Sequence, residues 1–278
     1  MSGSVIHSQS AAMVPAVYSA GQSAQLPVAI DYPAALALRQ MSMVHDELPK
    51  YLLAPEVSAL LHYVPDLRRK MLLATLWNTG ARINEALALT RGDFSLTPPY
   101  PFVQLATLKQ RTEKATRTAG RTPAGQQTHR LVPLSDTWYV SQLQTMVATL
   151  KIPMERRNKR TGRTEKARIW EVTDRTVRTW IGEAVAAAAA DGVTFSVPVT
   201  PHTFRHSYAM HMLYAGIPLK VLQSLMGHKS ISSTEVYTKV FALDVAARHR
   251  VQFSMPESDA VTMLKNRHAQ FINHNYEL

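Results

Sequence analysis

The apolar residues of this chain recur at helical spacing on both sides of one interruption, residues 102–134, where the period shortens to that of a strand. Before the break, Pro55 suits the first turn of a helix, and Val57, Leu60, Leu61 and Val64 follow three or four residues apart. A second, more apolar helix is expected from about Leu67 to Leu89 with Gly80 inside it. An interior glycine costs about 1 kcal/mol relative to alanine, so its presence points to close packing or a kink beside Arg82. Within the break, Phe102, Val103, Leu105 and Leu108 read as one strand and Leu131, Val132 and Leu134 as another, joined by a long polar and basic tip. After it, Ser135 or Asp136 caps a helix through Leu150, and Thr173-Asp174 opens one that runs through an alanine tract to Asp191-Gly192. Thr200 and Pro201 begin a helix that stops at Gly216, Pro218 begins another that ends at Gly227, and Ser230 or Ser232 caps a third over 233–241. This pattern predicts a mainly α-helical domain with a small antiparallel β-sheet.

Residues 1–48 are rich in Ser, Ala, Gln and Pro without sustained apolar periodicity, and read as an N-terminal arm, partly flexible. The folded body is expected over 49–250, followed by a C-terminal tail or helix, 251–278. The 278 residues contain no cysteine, which excludes disulfide scaffolds, thiolate metal sites and cysteine nucleophiles, so covalent catalysis would need oxygen or nitrogen. No Lys or Arg precedes Arg39, and the longest strictly apolar run, 184–190, is far short of the ~20 residues that a membrane span needs. A soluble, cytoplasmic protein without a membrane partner is expected.

The net charge of +11 is unevenly placed. Residues 109–130 hold six Lys/Arg against one Glu and residues 151–168 hold eight against two, so these segments carry the whole excess and the rest is neutral. Concentrated basicity of this kind suits a polyanion, nucleic acid above all. Arg111, Lys114 and Arg117 in the hairpin tip are candidates for backbone phosphate contacts, as are Arg157, Lys159, Arg160, Arg163 and Lys166 in the second segment, read as an exposed loop. Arg175 and Arg178 on the following helix suit phosphate or solvent, with base edges as the alternative.

Several residues carry chemistry. His202 and Arg205 share a face in the first turns of a proline-started helix, where backbone N–H groups and a guanidinium fork favour an anion. His202 and His206, four apart, could instead hold a metal, but no carboxylate completes such a set. His228 follows Gly227 at a helix end, as a dipole-facing cap or a phosphate donor. Tyr237 in a short helix, taken alone, reads as core packing, and Arg82 in an apolar helix needs Glu85 or a functional cleft.

Taken in order, Gly-Ala-Arg-Ile-Asn-Glu-Ala-Leu, a basic β-hairpin, His-Thr-Phe-Arg-His-Ser, Leu-Met-Gly-His-Lys-Ser and Val-Tyr-Thr resemble the signature of the tyrosine recombinase (phage integrase) family over residues 50–250. The resemblance implies the fold of that family's catalytic, DNA-binding domain. It implies Arg82, Lys109, His202, Arg205, His228 and Tyr237 as catalytic residues, Glu85 as support for Arg82, and Lys114 as the substitute if Lys109 is not the hairpin lysine. The implied activity is site-specific recombination through a 3′-phosphotyrosine and a Holliday junction, and similarity to plasmid resolvases implies resolution of plasmid multimers. The implied partner is a specific site on double-stranded DNA, bound by homodimers that assemble into tetramers, with room for an accessory DNA-binding protein. The tail would dock on a neighbouring protomer or pack at home. No metal, ATP or other cofactor is expected. Members of the family commonly carry a full core-binding domain before the catalytic one, for which residues 1–48 are too few and too polar. A DNA-binding regulator without catalysis on the same fold is the alternative, and a basic RNA-binding or nucleoid protein is a further one.

Overall fold

In the computed structural model, the described residues are Val28, 32–44, 49–107, 129–249, 255–256, 258–259 and 261–263. The hairpin tip lies outside them, and with it Lys109, Arg111, Lys114 and Arg117. The element order is α1 (Tyr32–Val44), α2 (Ala54–His62), α3 (Leu67–Thr79), α4 (Ile83–Leu87), a 3-10 turn at Arg91–Asp93, β1 (Phe94–Ser95), β2 (Phe102–Ala106), β3 (His129–Pro133), α5 (Thr137–Thr149), β4 (Glu155–Arg157), β5 (Thr164–Lys166), α6 (Asp174–Ala190), α7 (Pro201–Tyr214), α8 (Leu219–Met226) and α9 (Ser232–His249).

The caps fix most of these bounds. Asp66 accepts from the Arg69 backbone N–H at 2.8 Å to start α3, Asp136 does the same for α5 through Tyr139 at 3.0 Å, and Thr173 and Thr200 cap α6 and α7. Helix α3 does not run on to Leu89 as its apolar residues suggested. It stops at Gly80, which takes the left-handed conformation at φ +59°, and a new short helix, α4, begins after Arg82. A Cβ on Gly80 would stand 2.3 Å from Cδ1 of the buried Tyr208, so close packing and the left-handed turn both require glycine there.

The larger sheet is antiparallel in the order β1-β2-β3, with Val103 opposite Val132 and Leu105 opposite Arg130. The second basic segment is not a bare loop but a hairpin, β4 with β5, in which Arg156 and Glu165 face each other. The Asn158 side chain accepts from the backbone of Arg160 and Thr161, and Gly162 turns the chain at φ +68°. Both faces of this ribbon are polar, so no alternation of apolar residues announces it.

Part of the segment read as an arm is helix α1, whose buried face carries Ala35 and Arg39. Arg39 is 2% exposed, ion-paired with Glu56 and hydrogen-bonded to Ser196 Oγ at 2.5 Å. Tyr32 and Leu36 pack beside Ala35 on the same cluster, but the buried Arg39 one turn on breaks the apolar stripe that they begin.

Two buried clusters result. The larger joins α2, α3, the three-stranded sheet, α5 and α6. The smaller joins Ala35 of α1 and Tyr51 and Leu53 to α7, α8 and Tyr237 of α9, and α1 packs directly on α9. No helix among the described residues is long and apolar enough to cross a membrane.

Candidate active site

Helix ends build the centre of the site. Arg205 on α7 is 4% exposed, and its guanidinium donates to the carbonyls of Gly80 at 2.5 Å and Met226 at 2.6 Å. These residues lie at the C-terminal ends of α3 and α8, where carbonyls have no intrahelical partner and the helix dipole is negative. The cation thus satisfies two orphan acceptors. Burial, with the charge of Arg82 adding to it, lowers its pKa to about 10, so it is still charged at neutral pH.

Arg82 is the residue before α4. Glu85, in the first turn of that helix, reaches back to the Arg82 backbone N–H at 2.9 Å and takes Arg82 Nη1 at 3.0 Å. The Arg82 side chain is 38% exposed, so part of the guanidinium faces outward. Glu85 is buried. Burial alone would raise its pKa, but hydrogen bonds and charge from Arg130, together with Arg82, hold it below the usual carboxylate value.

His228 follows the left-handed Gly227 and hydrogen-bonds Thr234 Oγ1 through Nδ1 at 2.8 Å. Burial, then the charges of Arg205 and Arg82, lower its pKa to about 4. Tyr237 on α9 is 2% exposed, and burial pushes its phenol up to about 12 against the opposing pull of Arg205 and Arg82. Its hydroxyl shares a hydrogen bond of 2.9 Å with Nδ1 of His206, whose pKa is brought down to about 3, chiefly by burial and next by His202. His202 is exposed, with its ring centroid 4.3 Å from that of His206, and its pKa is lowered by partial desolvation and then by Arg205.

The fold therefore gathers Arg82, Glu85, His202, Arg205, His228 and Tyr237 from helices α4, α7 and α9 and from the chain just before α4 and just after α8. Two further residues join this group: His206 at the tyrosine hydroxyl, which the sequence offered only as a metal ligand, and Arg130 behind Glu85, which it did not single out. The signal for Arg130 was its place in a strand: in the pattern of β3 it falls with Val132 on the buried side. His211 packs on Trp77 at 4.8 Å instead of joining the other histidines, and among the described residues no group of three His, Asp or Glu could hold a metal. Three guanidinium groups around one carboxylate leave the cleft positive, which suits a phosphodiester.

On the β4–β5 hairpin Arg157, Lys159, Arg160, Arg163 and Lys166 are all exposed, whereas Arg156 is engaged by Glu165 and Glu171. Arg178 is exposed and paired with Asp174 at 3.2 Å.

The chain is 96% identical over 265 residues to a protein of Escherichia coli strain K12 named Resolvase, spanning 95% of this chain and 99% of that one. It is 46% identical over 255 residues to an Escherichia coli protein named probable site-specific recombinase in afa region, spanning 91% of this chain and 96% of that one. Its fold is similar to that of the Tn1549 transposon integrase in complex with a circular intermediate DNA, with a TM-score of 0.52 at 18% identity over 78% of this chain and 66% of that one. The profile of the Phage integrase family matches residues 50–243, a span holding all of the residues gathered above, and the chain belongs to that family.

Proposed function

We propose that the chain is a site-specific recombinase that resolves plasmid multimers by cutting and rejoining double-stranded DNA through a 3′-phosphotyrosine and a Holliday junction. The observation that carries this reading is the Tyr237 hydroxyl, buried and 2.9 Å from a histidine nitrogen among Arg82, Arg205 and His228. The name of the relative sharing 96% of residues agrees with it.

In this reaction the Tyr237 oxygen attacks phosphorus, forming the phosphotyrosyl bond, and the bond to the 5′ oxygen breaks. Arg82 and Arg205 neutralise the non-bridging oxygens as charge redistributes, and His228 donates a further hydrogen bond. A phenol with a pKa of about 12 needs an acceptor for its proton. His206, uncharged and with Nδ1 facing the hydroxyl, is nearer than His202, and the negative charge of a bound phosphate raises its basicity. Lys109, or Lys114 in its place, protonates the departing 5′ oxygen. The ester conserves the energy of the broken bond, so rejoining needs no ATP. Homodimers pairing into tetramers would bring two sites together, with the β4–β5 hairpin on the backbone, an accessory DNA-binding protein setting their alignment, and the tail joining protomers.

A nicked suicide site carrying the target sequence tests this. Wild type should accumulate a covalent protein–DNA adduct in the presence of EDTA, and Tyr237→Phe should form none. An undiminished adduct in that variant would remove Tyr237 as the nucleophile, and intact site binding with no wild-type adduct would leave a regulator.

A further inference from the structure

Arg130 is a buried charge that the reaction described above does not use. The alternation of β3 turns it inward opposite Leu105, and its side chain is 7% exposed. Burying a guanidinium costs several kcal/mol unless its donors are met. Here they are met by a fork: Nη2 donates to Glu85 Oε2 at 2.6 Å and Nη1 to Glu85 Oε1 at 3.1 Å, while Nε donates to the carbonyl of Leu225 at 2.8 Å. Each bond ends on a part of the site. Glu85 is the carboxylate that holds both the backbone and the guanidinium of Arg82. Leu225 lies in the last turn of α8, next to Met226, whose carbonyl is held by Arg205. Gly227 follows, where a Cβ would come within 3.0 Å of Arg130 Nη1, and then His228.

We infer that Arg130 is a positioning residue for strand transfer: it neutralises and fixes Glu85, so that Arg82 keeps its charge for the scissile phosphate, and it anchors the end of α8 from which His228 projects. Without it, Glu85 is left with one arginine, and the Arg82 fork closes on that carboxylate. This inference rests on the roles given above to Arg82 and His228.

The test compares single-turnover cleavage of a nicked suicide site carrying either a normal phosphodiester or a methylphosphonate at the scissile position. The methylphosphonate lacks the charge that Arg82 neutralises. Arg130→Met should cleave the phosphodiester ~100-fold more slowly, the usual size of a misplaced catalytic group, with site affinity within about threefold of wild type. On the methylphosphonate the deficit should shrink to about tenfold or less, leaving the share due to His228. Adding Glu85→Gln to Arg130→Met should recover phosphodiester cleavage by about tenfold, because the carboxylate that captures Arg82 is gone. If Arg130→Met does not fold by circular dichroism, Arg130→Lys, which retains one bond to Glu85, is carried through the same comparison. Equal deficits on the two substrates, or wild-type cleavage, would overturn the inference. A Tyr237→Phe control that still forms adduct would instead overturn the reading beneath it.

Discussion

His206 and His228 are held uncharged by their burial, with pKa values near 3 and 4 against about 6.5 in an unfolded chain. Above pH 6.5 neither state binds a proton and these residues leave stability untouched. Between 6.5 and their folded values the unfolded chain takes up protons that the folded one refuses, so stability falls as acid is added. The slope is up to about 1.4 kcal/mol per pH unit for the more deeply buried His206 and smaller for His228, where solvent screens the effect. Urea denaturation at pH 7.5, 6.5 and 5.5 should show the loss, and His206→Gln should flatten it. An unchanged slope in that variant would mean that His206 is not desolvated. The residues most legible in the sequence were those whose neighbours in the chain announce them: Arg82 with Glu85 three residues on, and His202 with Arg205 behind Thr200-Pro201. His206 was not read as a partner of Tyr237, nor Arg130 as one of Glu85, because those residues are 31 and 45 positions away. Neither pairing has a local periodicity.

Among elements, the β4–β5 hairpin carries the most exposed cationic surface that the structure describes. Its fold is maintained by Arg156 with Glu165 and by the Asn158 turn, which leaves Arg157, Lys159, Arg160, Arg163 and Lys166 projecting. Replacing Arg157, Lys159 and Arg160 with alanine should therefore leave the hairpin intact and weaken DNA binding for all sequences alike. If each contacts a phosphate, the slope of log affinity against log salt becomes shallower by roughly 2–3. Fluorescence anisotropy on the target site and on unrelated duplex at three salt concentrations reads this directly, and an unaltered slope would take the hairpin off the DNA. The starts of α5, α6, α7 and α8 were all legible, because Asp, Thr and Pro act within three residues, whereas the Asp66 cap of α3 was found only in the structure. The end of α3 was not legible either: apolar residues continue through Leu87 and Leu89, and only the approach of Tyr208 from α7 shows why the chain breaks at Gly80.

For the molecule as a whole, α1 is the element whose placement the sequence concealed, and it closes the cluster that contains Tyr237. Its hold on the body runs through Arg39, paired with Glu56 and Ser196. Arg39→Met should lower the unfolding free energy by about 3 kcal/mol, since it leaves a largely buried carboxylate without that cation. A loss below 1 kcal/mol in thermal or urea melts would show that the pair contributes little to stability. The same arrangement sets an order of events during synthesis. Ala35 leaves the ribosome early, while Tyr237, in the same buried cluster, is added roughly 200 residues later, about 10–40 s at about 5–20 residues per second. A nascent chain therefore carries Arg82, Arg205 and the His202–His206 pair before it has Tyr237, the proposed nucleophile. On the proposed mechanism, premature termination anywhere upstream of α9 yields a protein with the phosphate-binding groups and no residue to attack phosphorus.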